Sequence, residues 1–328
     1  MEPDHVEGNF LGLPEKGDDV DIVMISLPYE LTTSYGQGTA QGPAACIRAS
    51  AQVELYDPSL PVDIPAGASL HTAEPWNGEG NTLLEQLDNM TAHLRPWFSG
   101  NCFPIVLGGE HGILPPILAA VPIPLEELTV VQIDAHADLR QELDGEKWSH
   151  ACAAARALDM GIGRLMQVGI RAFSREEAER IDSDERISTW FASDILSPCA
   201  GQGAWLEWLS ALESVEGPVH LSIDIDGMDG SLVPDTGTPV PGGLSMWHAV
   251  ETIDTLFSNS KARVISADVN EIVPGKESPL TEFTAAMLAT RVLAGHLRAR
   301  LDGRFPTDAG GKNREAEECN YFRSLPIE

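Results

Sequence analysis

The segment Asp134-Ala-His136-Ala-Asp138 follows an apolar run, Thr129-Val-Val-Gln-Ile133. In an extended chain, side chains at i, i+2 and i+4 point to one side. The spacing predicts two carboxylates and one imidazole converging at the end of a strand. Core packing offers no reason for such a set, whereas a divalent cation does. Polar residues also mark three other expected strand ends: Val106-Leu-Gly108-Gly109-Glu110-His111, Ser222-Ile-Asp224-Ile-Asp226-Gly-Met-Asp229 and Ser266-Ala-Asp268-Val-Asn270-Glu271. Asp224 and Asp226 are expected on one face of their strand. Taken singly these signals are weak, since His111 also suits a helix cap or a core, and Asp-x-Asp also suits a turn. Taken together, His111, Asp134, His136, Asp138, Asp224 and Asp226 bring two imidazoles and four carboxylates to one region. Keeping those carboxylates ionised and close without a cation is costly. The set exceeds what one ion takes while leaving room for substrate, and two ions sharing bridging carboxylates accommodate it. Nitrogen and oxygen donors without sulfur favour Mn²⁺ and leave Ni²⁺, Co²⁺ and Fe²⁺ open.

These side chains need a frame that gathers strand ends. Apolar runs at 21–26, 103–107, 129–133, 165–169, 187–190, 219–225 and 263–269 read as buried strands. Helical patterns fall near 43–53, 83–98, 113–120, 149–159, 174–181, 203–213, 245–258 and 280–300, and Pro43 suits a first helical turn. Strands alternating with helices imply an α/β fold with a mostly parallel sheet covered on both faces. Open α/β sheets bind ligands at the carboxyl ends of their strands. Residues 57–82, rich in Pro, Gly and Asn, read as a long loop. We expect a polar lead-in over 1–17, a single domain over 18–301 and a polar tail over 302–328, with no linker between.

The chain has 328 residues and a formal net charge of −29, from 50 acidic against 21 basic side chains. Such a balance repels phosphate backbones and anionic membranes, which argues strongly against nucleic acid and disfavours an anionic membrane surface as partners. It suits a well-solvated surface, and its field attracts cationic small molecules. The start, Met-Glu-Pro-Asp-His, has no signal-peptide pattern, and no apolar run is long enough for a bilayer. Five scattered cysteines without a CxxC read as reduced thiols, so a cytoplasmic location is expected. A nucleotide-binding reading fails because neither GxGxxG nor Gly-Lys-Ser/Thr follows the first strand.

On these motifs the chain resembles the ureohydrolases, the arginase and agmatinase family, over about residues 20–300. The resemblance implies a three-layer α/β/α sandwich around an eight-stranded parallel sheet, with two Mn²⁺ ions. It implies that His111, Asp134, Asp138 and Asp224 hold one ion and that His136, Asp134, Asp224 and Asp226 hold the other. Asp134 and Asp224 would bridge, and Asp138 would orient the attacking hydroxide. His150, in Lys147-Trp-Ser-His150-Ala-Cys, would shuttle the proton to the leaving amine, and Glu271 would pair with the guanidinium. Thr236, Gly237 and Thr238 would line the site. Zinc deacetylases of the same fold carry an adjacent histidine pair, which this chain lacks. It departs from the family's usual pattern at Glu110, where Asp is common, at Gly112, where Ser is common, and at Asp229-Gly230, where Asp-Pro is usual. A homo-oligomer, trimeric or hexameric, is also implied.

The loop Leu139-Arg140-Gln-Glu142-Leu-Asp144-Gly-Glu146-Lys147 is short and acidic. It would oppose a substrate carboxylate and favour a distal ammonium, which points to agmatine. Arg140 argues the other way unless an acid pairs with it, and guanidinobutyrate or guanidinopropionate is the runner-up. A member that binds metal without catalysis is the remaining alternative. His220 is expected in the core or behind the ligands, and Trp205 and Trp208 are expected to pack.

Overall fold

Each expected strand forms, and all seven join one parallel sheet, seen here in a computed structural model that describes residues 5–15, 19–305, 310–311 and 319–325. In chain order the strands are β1 (Ile22–Leu27), β2 (Leu70–Thr72), β3 (Phe103–Gly108), β4 (Thr129–Ile133), β5 (Arg164–Ile170), β6 (Ile187–Phe191), β7 (Gly217–Asp224) and β8 (Ala262–Asn270). Their order across the sheet is β2-β1-β3-β8-β7-β4-β5-β6. The segment expected to be one long loop over 57–82 supplies the eighth strand, β2, at the sheet edge. Its three residues are too few to show a period, and only pairing with β1 makes them a strand.

The helices are α1 (Gly42–Ser50), α2 (Leu83–Phe98), α3 (Leu114–Ala120), α4 (Ala153–Asp159), α5 (Arg175–Ser183), α6 (Ala192–Ile195), α7 (Gly201–Glu213), α8 (Met246–Ser258) and α9 (Leu280–Leu301). Reciprocal caps start three of them: Thr82 with Glu85, Ser174 with Glu177, and Ser245 with His248. Side chains alternate across the sheet as a pleat requires. Ile22 and Met24 join a core with α1, α7, α8 and α9, while Val23, Ile25 and Leu27 join one with α2 and α3. Trp205 and Trp208 pack in the first core, their N–H groups donating to Glu251 and Thr252. The result is a three-layer α/β/α sandwich. No helix among the described residues is long and apolar enough to cross a membrane.

Described segments near both ends of the chain are held more closely than their polarity suggests. Phe10 is fully buried, and its N–H donates to Thr72 Oγ1 at 2.9 Å. At the other end, Phe322 is fully buried and its N–H donates to the buried Asp88 carboxylate of α2 at 2.8 Å. Of the expected tail, residues 306–309, 312–318 and 326–328 lie outside the described residues; Gly310–Gly311 pairs with Asp19–Val20.

Candidate metal and active site

The four motif strands, β3, β8, β7 and β4, are consecutive at the centre of the sheet. Parallel pairing brings their carboxyl ends together, so the motif loops meet above the sheet. The local geometry differs from the expected pleat. β4 stops at Ile133, and Asp134–Asp138 continues irregularly with Asp138 at φ 51°. β7 stops at Asp224, and Asp226 sits in a one-turn helix (Ile225–Gly227) whose start Asp224 caps by accepting the Asp226 N–H at 2.8 Å. Turns, and not strand alternation, therefore aim Asp138 and Asp226.

All six expected metal ligands come together. His111 Nδ1 lies 3.1 Å from Asp134 Oδ2, 3.0 Å from Asp138 Oδ2 and 3.4 Å from Asp224 Oδ2. His136 Nδ1 lies 2.9 Å from Asp226 Oδ2 and 3.8 Å from Asp134 Oδ1. Two donor groups result, His111-Asp134-Asp224 and Asp134-His136-Asp226, which share Asp134. His136 is partly exposed; the other five are buried.

Electrostatics show what the set lacks. Burial, with Asp138 and Asp226 nearby, pushes the Asp134 carboxyl up to about 7. Burial, Asp226 and Asp134 push Asp224 well above the carboxylate range. Burial opposes charge on His111 and His136, but the carboxylates outweigh it, raising His111 well above its ordinary value and His136 to about 10. The chain alone must therefore gather protons to hold this cluster together. Divalent cations can replace those protons. His111 Nδ1 is buried with three carboxylate oxygens near it, yet none meets it in hydrogen-bond geometry. Convergence without hydrogen-bond alignment suits a shared cation, so the residues fit two metal ions.

Supporting contacts orient these donors. Gln132 Nε2 donates to Asp134 Oδ2 at 2.7 Å, and Gln167 donates to Gln132 Oε1 at 3.0 Å. The Ala135 N–H donates to Asp226 Oδ1 at 3.0 Å. His111 Nε2 meets Ser222 Oγ at 3.0 Å, which donates to Asp268 Oδ1; Asp268 Oδ2 also meets His220 Nε2 at 2.7 Å. His220 thus stands behind the ligands, as expected. The Arg171 guanidinium donates to the carbonyls of Asp226, Met228 and Val240 and ties the third motif loop down. Sequence reasoning passed over Gln132, Gln167 and Arg171. Gln132 carried a signal, a lone amide inside an apolar strand at the same parity as Asp134.

A cleft of about 290 Å³ opens over the donors. His111, His136, Asp138, Asp224, Asp226, His150, Thr238 and Glu271 all line it. Glu271, at φ 58°, is buried; its Oε1 accepts the His111 N–H at 2.8 Å. A Cβ at Gly237 would stand 3.1 Å from Glu271 Oε2, so glycine keeps that oxygen clear. Burial holds the Glu271 carboxyl well above its ordinary value, a cost that a bound cation would offset. Thr236 supports Glu271 from behind, its Oγ1 donating to the Glu271 carbonyl at 2.9 Å. Arg140 also lines the cleft, 3.8 Å from Glu177, whose Oε1 accepts the Leu139 N–H at 3.0 Å. Glu177 is the acid beside Arg140.

Comparison with known proteins gives one answer. The chain is 33% identical over 280 residues to an N(1)-aminopropylagmatine ureohydrolase of Synechocystis sp., covering 84% of this chain and 89% of that one. It is 33% identical over 279 residues to an agmatinase of Pyrococcus horikoshii, covering 84% and 92%. An agmatine ureohydrolase of Thermoplasma volcanium superposes with a TM-score of 0.73 at 26% identity, over 87% of this chain and 92% of that one. The arginase family model matches residues 20–295, and with central strands carrying such donors, this chain belongs to the arginase family, the ureohydrolases.

Proposed function

We propose that the protein hydrolyses agmatine to putrescine and urea at a site holding two Mn²⁺ ions. One observation carries the reading: five metal-type donors, Glu271 and His150 line a single cleft, and Asp134 joins both donor groups beneath it. His111, Asp134, Asp138 and Asp224 would hold one ion, and His136, Asp134, Asp224 and Asp226 the other. When bound, the ions supply the Lewis acidity that makes water a nucleophile at neutral pH. Glu271 receives the guanidinium through its free Oε2, orienting the carbon toward the donors. Asp138 accepts a hydrogen bond from the attacking water and orients it. His150 hands a proton to the departing amine nitrogen as the C–N bond breaks. Burial lowers its basicity, so it gives up that proton readily. Thr238 walls the guanidinium end.

A second, longer substrate is favoured by a neighbouring cavity of about 480 Å³. It shares Ser34 and Leu143 with the cleft and is lined by Asp144 and Glu146. Asp144 and Glu146 of the 139–147 loop thus lie one step beyond the cleft, where a further ammonium would reach them. Relatives named N(1)-aminopropylagmatine ureohydrolase agree with such a substrate.

Urea release after Mn²⁺ reconstitution, with agmatine, N(1)-aminopropylagmatine, 4-guanidinobutyrate and arginine, tests both readings. Turnover of guanidinobutyrate or arginine without either amine would overturn the substrate assignment. Asp134→Asn should abolish both turnover and bound metal, and activity that survives it would remove the assigned site.

A further inference from the structure

The His150 loop is tied to the first strand's loop through one hydroxyl. Thr32 Oγ1 donates to Glu110 Oε1 at 2.7 Å, accepts the His150 backbone N–H at 2.9 Å and lies 3.2 Å from His150 Nδ1. Glu110 is fully buried, and its Oε2 accepts the N–H groups of Leu31 and Thr32 at 3.1 and 2.8 Å. With backbone donors on Oε2, the ionised carboxylate presents Oε1 to the threonine as an acceptor. A Cβ at position 112 would stand 3.3 Å from Glu110 Oε1, so Gly112 leaves room for the long glutamate.

A threonine hydroxyl has one proton and two lone pairs. Here the proton goes to Glu110, so Thr32 can only accept from the imidazole. If Nδ1 were bare, two lone pairs would face each other at 3.2 Å. Ser149 Oγ, 3.3 Å from Nδ1, can accept or donate and does not oppose the outcome. We infer that Glu110, acting through Thr32, fixes the proton of neutral His150 on Nδ1, leaving Nε2 as the only nitrogen that exchanges protons in the cleft. Glu110 and Thr32 are then positioning residues for the proton transfer. The proton that Nε2 takes from the attacking water is the one it returns to the departing amine, so the Nδ1 proton never leaves. This inference rests on the proposed role of His150 as proton carrier.

The test combines a spectroscopic and a kinetic arm. Ring ¹⁵N shifts of histidine-labelled protein, loaded with diamagnetic Mg²⁺ or Zn²⁺, distinguish a protonated from a bare nitrogen. We expect Nδ1–H with bare Nε2 in neutral His150 and a shift toward Nε2–H in Glu110→Gln, whose amide frees the Thr32 proton. Nε2–H in the wild-type protein, or no change in Glu110→Gln, would overturn the inference. For agmatine, Thr32→Val should lower kcat at least about tenfold, one hydrogen bond's worth, with KM within about twofold. Thr32→Ser should restore most of the loss. Equal losses in both variants, or none in Thr32→Val, would make Thr32 merely structural and sink the idea. Wild-type kcat in His150→Asn would instead refute the role of His150 itself, a separate failure.

Discussion

Asp88→Ala should release the C-terminal segment and slow the enzyme from a distance. Asp88 is fully buried in α2. Its carboxylate accepts the Phe322 N–H at 2.8 Å, the Arg323 N–H at 3.2 Å and the Arg323 Nε–H at 2.8 Å. Truncation leaves those donors without their acceptor. The buried Phe322 N–H so stranded costs about 1–3 kcal/mol, while the exposed Arg323 donors turn to water, so the docked segment loses about 1–3 kcal/mol. Burial of the Phe322 ring returns only about 1.5–3 kcal/mol. The docked population should therefore fall by roughly five- to a hundredfold, at about 1.4 kcal/mol per factor of ten. The consequence reaches the site because the Phe322 ring packs edge-on against Trp148, with centroids 4.9 Å apart. Trp148 lies two residues before His150. Losing that contact loosens the loop that carries the proposed proton carrier, and a drop in kcat with little change in metal content is expected. Limited proteolysis with mass spectrometry reads the docking, and urea release reads kcat. If Asp88→Ala leaves residues 319–325 as protected as in the wild type, the energetic reasoning is wrong. If the segment is released and kcat is unchanged, the link through Trp148 is wrong.

Three other outcomes follow from the geometry. Glu271→Gln should raise KM for agmatine at least about tenfold, because a charge-assisted pair is worth about 1.5–3 kcal/mol per bond; an unchanged KM in steady-state assays would contradict the guanidinium assignment. Burial, with Arg300 nearby, pushes the imidazole of His296 down to about 3, where it stacks on Phe103. Unfolded, it titrates near 6.5, so between those values only the unfolded chain binds the proton; this residue's contribution is complete above about pH 6.5 and is lost as pH falls toward about 3. His296→Phe should flatten the acid-side slope of unfolding free energy by up to about 1.4 kcal/mol per pH unit, as denaturant titrations between about pH 6 and about pH 4 would show. Gly109→Ala should prevent recovery of folded protein, because the added Cβ would sit 1.8 Å from the Tyr29 carbonyl oxygen; a soluble variant with wild-type thermal stability would contradict that contact.

What the sequence determined by itself is local. Apolar runs of strand length, ending in Asp, His and Glu, marked β3, β4, β7 and β8 and the donors at their ends, because strand identity and charge composition are written in neighbouring residues. Even there, spacing grouped residues that do converge, but for a partly mistaken reason. A left-handed Asp138 and a helical turn at Asp226, and not the pleat, aim two of the donors. Tertiary structure alone decided which strands became neighbours, and with that which distant side chains share a bond. Three-residue β2 exists only by pairing with β1. Thr32, Glu110 and His150 meet across long stretches of chain, as do Asp88 and Phe322. The acidic stretch of the 139–147 loop was legible as charge, but only the folded loop shows that Asp144 and Glu146 face the adjoining cavity while Arg140 faces the cleft. Side-chain direction in an irregular loop is set by the long-range packing around it, and a one-dimensional period carries no record of that.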